Sequence, residues 1–264
     1  MSARRGGRTT LVLTCEHADH RVPRRYAGLF AGAEDVLESH RGWDAGAWRL
    51  GRLIAKRLAR PLRVTRWSRL LVESNRSPTN PSIWSRFSRK LPREERAEIL
   101  ERYWRPHREE VAAAVAGPIG RGERVLHVAV HSFTPVMDGE VRNADVAFLF
   151  DSARSRERKF AERWSACLRE CAPGLRVRFN YPYRGATDGL ASWLRRRHPE
   201  SRYRGFELEV NQALSAGPGW RAVGEALAAS LAAALRGDGL TPRPPRRSAG
   251  SGRRSPRRRA RRSR

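Results

Sequence analysis

Val125-Leu126-His127-Val128-Ala129-Val130, followed at once by His131-Ser132-Phe133, reads as a buried strand that stops at a polar cluster. A short run of mostly apolar, β-branched residues is the pattern of a strand covered on both faces. A Gly/Pro turn over 117–122 leads into it, and a charged helical pattern spans 92–116 before the turn. Residues 10–15 (TLVLTC) read the same way near the N-terminus and end at Glu16-His17. Residues 44–58 (DAGAWRLGRLIAKRL) carry apolar side chains every three or four positions, which predicts a helix with Asp44 as its cap or first-turn acid. Short strands are predicted at 62–65 and 70–73, and the Ser/Pro/Asn-rich stretch 74–82 is a loop. Downstream, strands at 145–150, 175–179 and 206–210 alternate with helices at 155–171 and 188–196, and the alanine-rich 219–235 closes the series as an amphipathic helix.

Strands alternating with helices imply βαβ units, hence an α/β protein with a largely parallel sheet between helical layers. In such sheets, functional side chains collect at the carboxyl ends of the strands. The 264 residues, 39% hydrophobic and 31% charged, suffice for one sizeable core. The predicted organisation is one domain over 8–236 and a disordered Arg/Pro/Ser-rich basic tail over 237–264.

The net charge is +27, and 51 of the 54 basic residues are arginine. The tail carries +10 of this charge and the body +17. Such an excess favours polyanions in general, so nonspecific polyanion binding through the tail is expected. Zinc-finger and RNP motifs, and aromatics interleaved with the tail arginines, are absent. No stretch reaches the roughly 18 to 20 apolar residues of a membrane span, and the apolar run after the basic start is too short for a signal peptide, so a cytoplasmic chain without membrane contact is expected. Cys15, Cys167 and Cys171 lack CxxC spacing and read as packing residues.

Three polar clusters fall where strands end: Glu16-His17, His131 and the Glu207/Glu209 pair. A hydrolytic zinc site needs about three nitrogen or carboxylate ligands and a carboxylate that accepts a proton from water. His17 and His131 supply two ligands, and Asp44 at a helix start facing the same crevice is a third. His20, three residues beyond His17, is a rival third ligand. On these residues alone, a histidine at a strand end is equally a hydrogen-bonded structural group. Glu207 shares the strand face of Glu209 and, with Glu16, is placed to orient a ligand histidine. Tyr181, Tyr183 and Arg184, around turn-forming residues, form either a pocket wall or a packed Pro-aromatic turn. His40, His107, His127 and His198 have no partner motif and read as structural or exposed.

Cys15-Glu16-His17-Ala18, Trp43-Asp44-Ala45-Gly46-Ala47, the run from Ser68-Arg69 to Arg76-Ser77, His131-Ser132-Phe133 and Glu207-Leu208-Glu209-Val210-Asn211-Gln212 resemble, in order, the motifs of the N-formylglutamate amidohydrolase family. Arg142-Asn143-Ala144-Asp145-Val146 and Asn180-Tyr181-Pro182-Tyr183-Arg184-Gly185 are also similar, so the resemblance runs from about residue 11 to 212. It implies a three-layer αβα fold of the zinc-dependent exopeptidase-like (phosphorylase/hydrolase-like) kind with a central mixed, mostly parallel sheet. It implies hydrolysis of the amide of a small N-acyl amino acid with one Zn2+ on His17, Asp44 and His131. Glu209 then acts as general base, Arg76 and Arg142 hold substrate carboxylates with Arg76 also in the catalytic set, and Asn75, Tyr183 and Arg184 complete the substrate site. The chain departs from the family's pattern at two places: Glu73 stands two positions before Asn75 where Asp is common before the Asn-Arg pair, and His20 replaces a common Asn. The alternatives are a related zinc deacylase or peptidoglycan-type amidase and, from another class, a non-catalytic nucleic-acid-binding protein using its basic tail.

Overall fold

The computed structural model describes residues 8–215 and 219–237. Its strands are β1 (Thr9–Cys15), β2 (Leu62–Val64), β3 (Arg124–Phe133), β4 (Val136–Met137), β5 (Glu140–Val141), β6 (Val146–Leu149), β7 (Val177–Phe179) and β8 (Tyr203–Asn211). Six of them form one sheet in the order β2-β1-β3-β8-β6-β7, in which only the β6/β8 pair is antiparallel. The helices are α1 (Glu34–Glu38), α2 (Ala47–Arg57), α3 (Arg93–Ile99), α4 (Arg105–Gly120), α5 (Ser155–Cys171), α6 (Leu190–Arg195) and α7 (Gly219–Gly237). The result is an α/β sheet, largely parallel as the alternation of strands and helices implies and mixed as the family resemblance implies.

Alternation along the strands sorts the two faces. Leu11, Leu13, Leu126, Val128, Val130, Phe206, Leu208 and Val210 pack with Leu50 and Ile54 of α2, Phe160 and Trp164 of α5, and Leu227 and Leu231 of α7. Val12, Val125 and Tyr203 point the other way, onto Val111 and Val115 of α4 and Leu190 and Leu194 of α6. Parallel pairing of β3 with β8 sets His131 beside Glu209 and Ala129 beside Glu207.

Several expectations need correction. Residues 70–73 form a turn, not a strand; Leu71 and Val72 bury against Tyr26, Phe30, Ile83 and Trp104 in a separate apolar cluster, so their hydrophobicity serves a packed loop. The pattern over 92–116 is two helices joined by a π-helical turn, Leu100–Trp104, with Pro106 in the first turn of α4. Helix α4 runs on to Gly120 through part of the predicted turn. Helix α1 and the β4/β5 hairpin, turned at Asp138-Gly139 with positive φ at both, were not predicted. Asp44 does not cap α2: the N-cap is Gly46, at φ 81°, where a Cβ would approach Trp220 to 2.8 Å. Residues 238–264, nearly all of the expected basic tail, lie outside the described residues. Among the described residues, no helix is long and apolar enough to cross a membrane.

Candidate metal centre and active-site cleft

The carboxyl ends of β1, β3 and β8 bring the three sequence clusters together. His17 follows β1 directly, His131 lies near the end of β3, Glu209 lies near the end of β8, and Asp44 reaches in from the turn before α2, tied by its backbone N–H to the His17 carbonyl at 3.0 Å. His17 Nδ1 is 3.2 Å and His131 Nδ1 2.8 Å from the same Asp44 oxygen, Oδ2. One ligand atom from each of the three residues lies within 4.8 Å of the others, and all three residues are buried. Two imidazoles and a carboxylate are a donor set suited to a divalent metal ion, so these residues fit one.

The outward ring nitrogens face further carboxylates, His17 through a hydrogen bond and His131 at ion-pair distance. His17 Nε2 lies 2.5 Å from Glu73 Oε1, and His131 Nε2 lies 3.2 Å from Glu16 Oε2. A histidine that donates one N–H to a carboxylate has its tautomer and ring angle fixed for ligation through the other nitrogen. Burial and Arg69 push the His17 pKa down, but Glu73 and Asp44 outweigh them and it ends above the ordinary value. Burial works against ionisation of Asp44, yet His17 and His131 hold its carboxyl well below the usual range. Glu73 is likewise held low against burial by Arg69 and His17. Acids ionised next to rings drawn toward the cation form make a centre that stabilises positive charge.

Glu209 is the opposite case. It is buried, its Oε2 has no hydrogen-bond partner, and burial, reinforced by Asp44 and Glu207, raises its pKa to about 8 against the pull of His131 and His17. Desolvation of this kind disfavours the charged form. A carboxyl perturbed in this way beside a cleft is a candidate for proton transfer.

His17, Asp44, His131 and Glu209 all line a cleft of about 290 Å³. Asn75, Arg76, Tyr183, Arg184 and Glu207 are also in its wall. Arg76 is fixed by Nη1 donating to the Asp188 carbonyl at 2.6 Å, while its own carbonyl accepts from Trp104 Nε1 and from Arg108 Nη2. Arg108 is almost wholly buried between Trp104 and Trp193, so the π-helical turn and α4 set the height of the loop that carries Arg76. Tyr183 and Arg184 are presented by the turn 180–185, pinned where Asn180 Oδ1 accepts from Phe150 N and Gly185 N. Only glycine fits at 185, because a Cβ there would fall 2.1 Å from Phe150 N.

Arg142 is not in the cleft wall. It stacks on Tyr183, with 5.2 Å from its guanidinium carbon to the ring centroid, and donates to the Tyr183 hydroxyl at 3.1 Å, backing the wall from outside. His20 is not in the cluster either; it packs against Trp43 at 5.2 Å, leaving Asp44 as the third residue. Glu207 accepts from Asn75 Nδ2 at 2.9 Å, so the acids on the histidine rings are Glu16, as anticipated, and Glu73. Sequence reasoning missed Glu73, Arg69 and His40, the last two of which line the cleft. His107, expected to lack a partner, lies 3.2 Å from Glu16 Oε1.

An α/β sheet with a buried His/Asp/His cluster and a perturbed carboxyl in one cleft defines a hydrolase-type site able to hold a metal ion. The N-formylglutamate amidohydrolase family matches residues 9–216, and the chain belongs to that family, among the hydrolases that act on amides. Its fold is similar to that of a gene product of Agrobacterium tumefaciens, with a TM-score of 0.72, 29% identity, and 88% of this chain and 92% of that one covered. It is also similar to the N-formylglutamate amidohydrolase of Ralstonia eutropha, with a TM-score of 0.65, 19% identity, and 88% and 95% covered. No curated protein sequence matches the chain.

Proposed function

We propose that the chain hydrolyses the amide bond of a small N-acyl amino acid, an N-formylglutamate-like compound, with one zinc ion on His17, Asp44 and His131. The observation that supports this best is the partnerless Oε2 of buried Glu209 in the same cleft as three converging ligand atoms. Zinc bound at such a centre supplies a water of lowered pKa and polarises the acyl carbonyl. Glu209 accepts the proton of the attacking water and returns it to the departing amine, the two tasks of a general base that becomes a general acid. With an ion held by His17, Asp44 and His131, the Glu209 carboxyl would be drawn below about 8 toward the range where it accepts protons at neutral pH.

Arg76 and Arg184 are the cations of the cleft wall suited to substrate carboxylates, since a guanidinium fork meets both oxygens of a carboxylate. Arg142 supports that wall through Tyr183. The test is metal analysis of the purified chain together with hydrolysis of N-formyl and N-acetyl amino acids. One zinc per chain and turnover of an N-formyl dicarboxylic amino acid are expected, with both lost in His17→Ala and His131→Ala. Undiminished zinc in both variants defeats the assignment of the ligands, and turnover in fully chelated protein defeats the zinc reading.

A further inference from the structure

Glu73 lies in the loop between β2 and α3, outside every strand, yet its buried carboxylate is held by three residues at the candidate metal centre. Its Oε1 faces His17 Nε2 at 2.5 Å and accepts from the Asn75 backbone N–H at 2.9 Å. Its Oε2 accepts from Arg69 Nε at 2.7 Å and lies 2.5 Å from Arg69 Nη2. The same guanidinium reaches Asp44 Oδ1 through Nη1 at 3.4 Å. The contact of His17 Nδ1 with Asp44 Oδ2 closes the ring, so two of the three centre residues are tied to each other through one arginine and one glutamate.

We infer that Arg69 and Glu73 are a positioning pair that holds the His17 ring and the Asp44 carboxylate in ligating orientation before the ion arrives. The inference rests on the reading that His17, Asp44 and His131 bind a metal ion. Two nitrogens of the Arg69 guanidinium hold Oε2 while the Asn75 N–H and the His17 ring hold Oε1, so the Glu73 carboxylate is fixed in plane as well as in place. Fixing Glu73 fixes the angle of the His17 ring, and contact at Oδ1 turns the other oxygen of Asp44 toward the histidines. The cation also offsets repulsion between two buried acids that flank the same imidazole.

The second histidine has a looser support. His131 Nε2 stands 3.2 Å from Glu16, whose other oxygen stands 3.2 Å from His107, and among the described residues no arginine hydrogen-bonds to that arm. The His17 arm is therefore the more rigid of the two, and its loss is the more damaging.

Zinc affinity measured against a chromophoric chelator, and the visible spectrum of the Co2+-loaded full-length protein, test the pair. Glu73→Gln and Arg69→Met are expected to weaken zinc binding about 10- to 100-fold and to alter the Co2+ bands, as loss of groups that support a ligand typically does. Arg69→Lys should recover part of the affinity, and Glu16→Gln should weaken binding less than Glu73→Gln. Wild-type affinity and an unchanged Co2+ spectrum in both Glu73→Gln and Arg69→Met overturn the inference while leaving the metal site standing. Failure of the wild-type chain to take up zinc overturns the metal reading, and this inference with it. Glu73→Gln preserves side-chain size, so it decides the matter if Arg69→Met does not fold.

Discussion

The two faces of β1, β3 and β8 come from the same strands and differ in everything but backbone. Toward α2, α5 and α7 the middle of each strand is apolar, from Leu11 and Leu13 through Leu126, Val128 and Val130 to Phe206, Leu208 and Val210, with Arg204 at the start of β8 stacked on Phe160. Toward α4 and α6 the residues change character along the strands. Val12, Val125 and Tyr203 begin apolar against Val111 and Leu194. A neutral bridge follows, Thr14 Oγ1 to His127 Nε2 at 2.9 Å and His127 Nδ1 to Tyr203 Oη at 2.8 Å. The ionisable layer of Glu16, His131 and Glu209 comes last, at the carboxyl ends. A mostly apolar face anchors the sheet, which lets the opposite face carry buried ionisable groups at one end.

The largest difference between the faces should appear in Glu209→Gln. Glutamine keeps the shape but cannot accept a proton, so turnover should fall about 10²- to 10⁴-fold with metal content unchanged. Glu207→Gln, which can keep its bond from Asn75, should lose much less. Steady-state kinetics on metal-saturated protein decide this. Near-normal turnover in Glu209→Gln, or a greater loss in Glu207→Gln, moves the proton-transfer role two residues along the strand.

Trp164→Ala probes the apolar face. Trp164 is fully buried, stacks on Phe148 with centroids 4.2 Å apart, meets Phe206 edge-on, and donates to Ser230 Oγ at 3.1 Å. Removing it should cost about 3–5 kcal/mol of stability in denaturant unfolding. Zinc affinity and turnover of the folded fraction should stay near wild type. Loss of zinc at temperatures where the variant remains folded contradicts a division of labour between the faces.

The same division explains what was legible in the sequence. The polar stops at Glu16-His17 and His131 and the Glu207/Glu209 pair marked strand ends, and strand ends of a parallel sheet converge, so these clusters stood out by position, while the family resemblance alone separated Glu209 from Glu207. The part of the site built from loops could not. Glu73 meets His17 across 56 positions because the chain between β2 and α3 packs irregularly, and Arg69 reaches both acids only in that packing. Leu70, Leu71 and Val72 suggested a strand because burial in a loop cluster selects the same residues as burial in a sheet. Asp44 was read both as a helix cap and as a third ligand, and in the fold its carboxylate is committed to the two histidines. Arg142 was indistinguishable by sequence from the other arginines, and only the stacking on Tyr183 gives it a place.

The smallest effect should come from the neutral bridge that separates the two ends of the polar face. His127 is wholly buried, and burial lowers its pKa to about 4, Arg195 adding to the effect and Glu16 opposing it. The unfolded chain binds a proton on this ring near pH 6.5, whereas the folded chain does so only near pH 4. The contribution of His127 to stability is therefore complete above about pH 6.5 and is lost as the pH falls toward about 4, where the unfolded state binds the extra proton. His127→Leu removes this linkage and leaves the Thr14 and Tyr203 hydroxyls without their shared partner, which should cost about 1–3 kcal/mol at pH 7. Urea unfolding of both proteins between pH 4 and 7 should show a gap that is widest at pH 7 and narrows as the solution is acidified. A gap that stays constant across that range would show that the ring is not held neutral, and that charge extends further down the strands than the Thr14–His127–Tyr203 bridge implies.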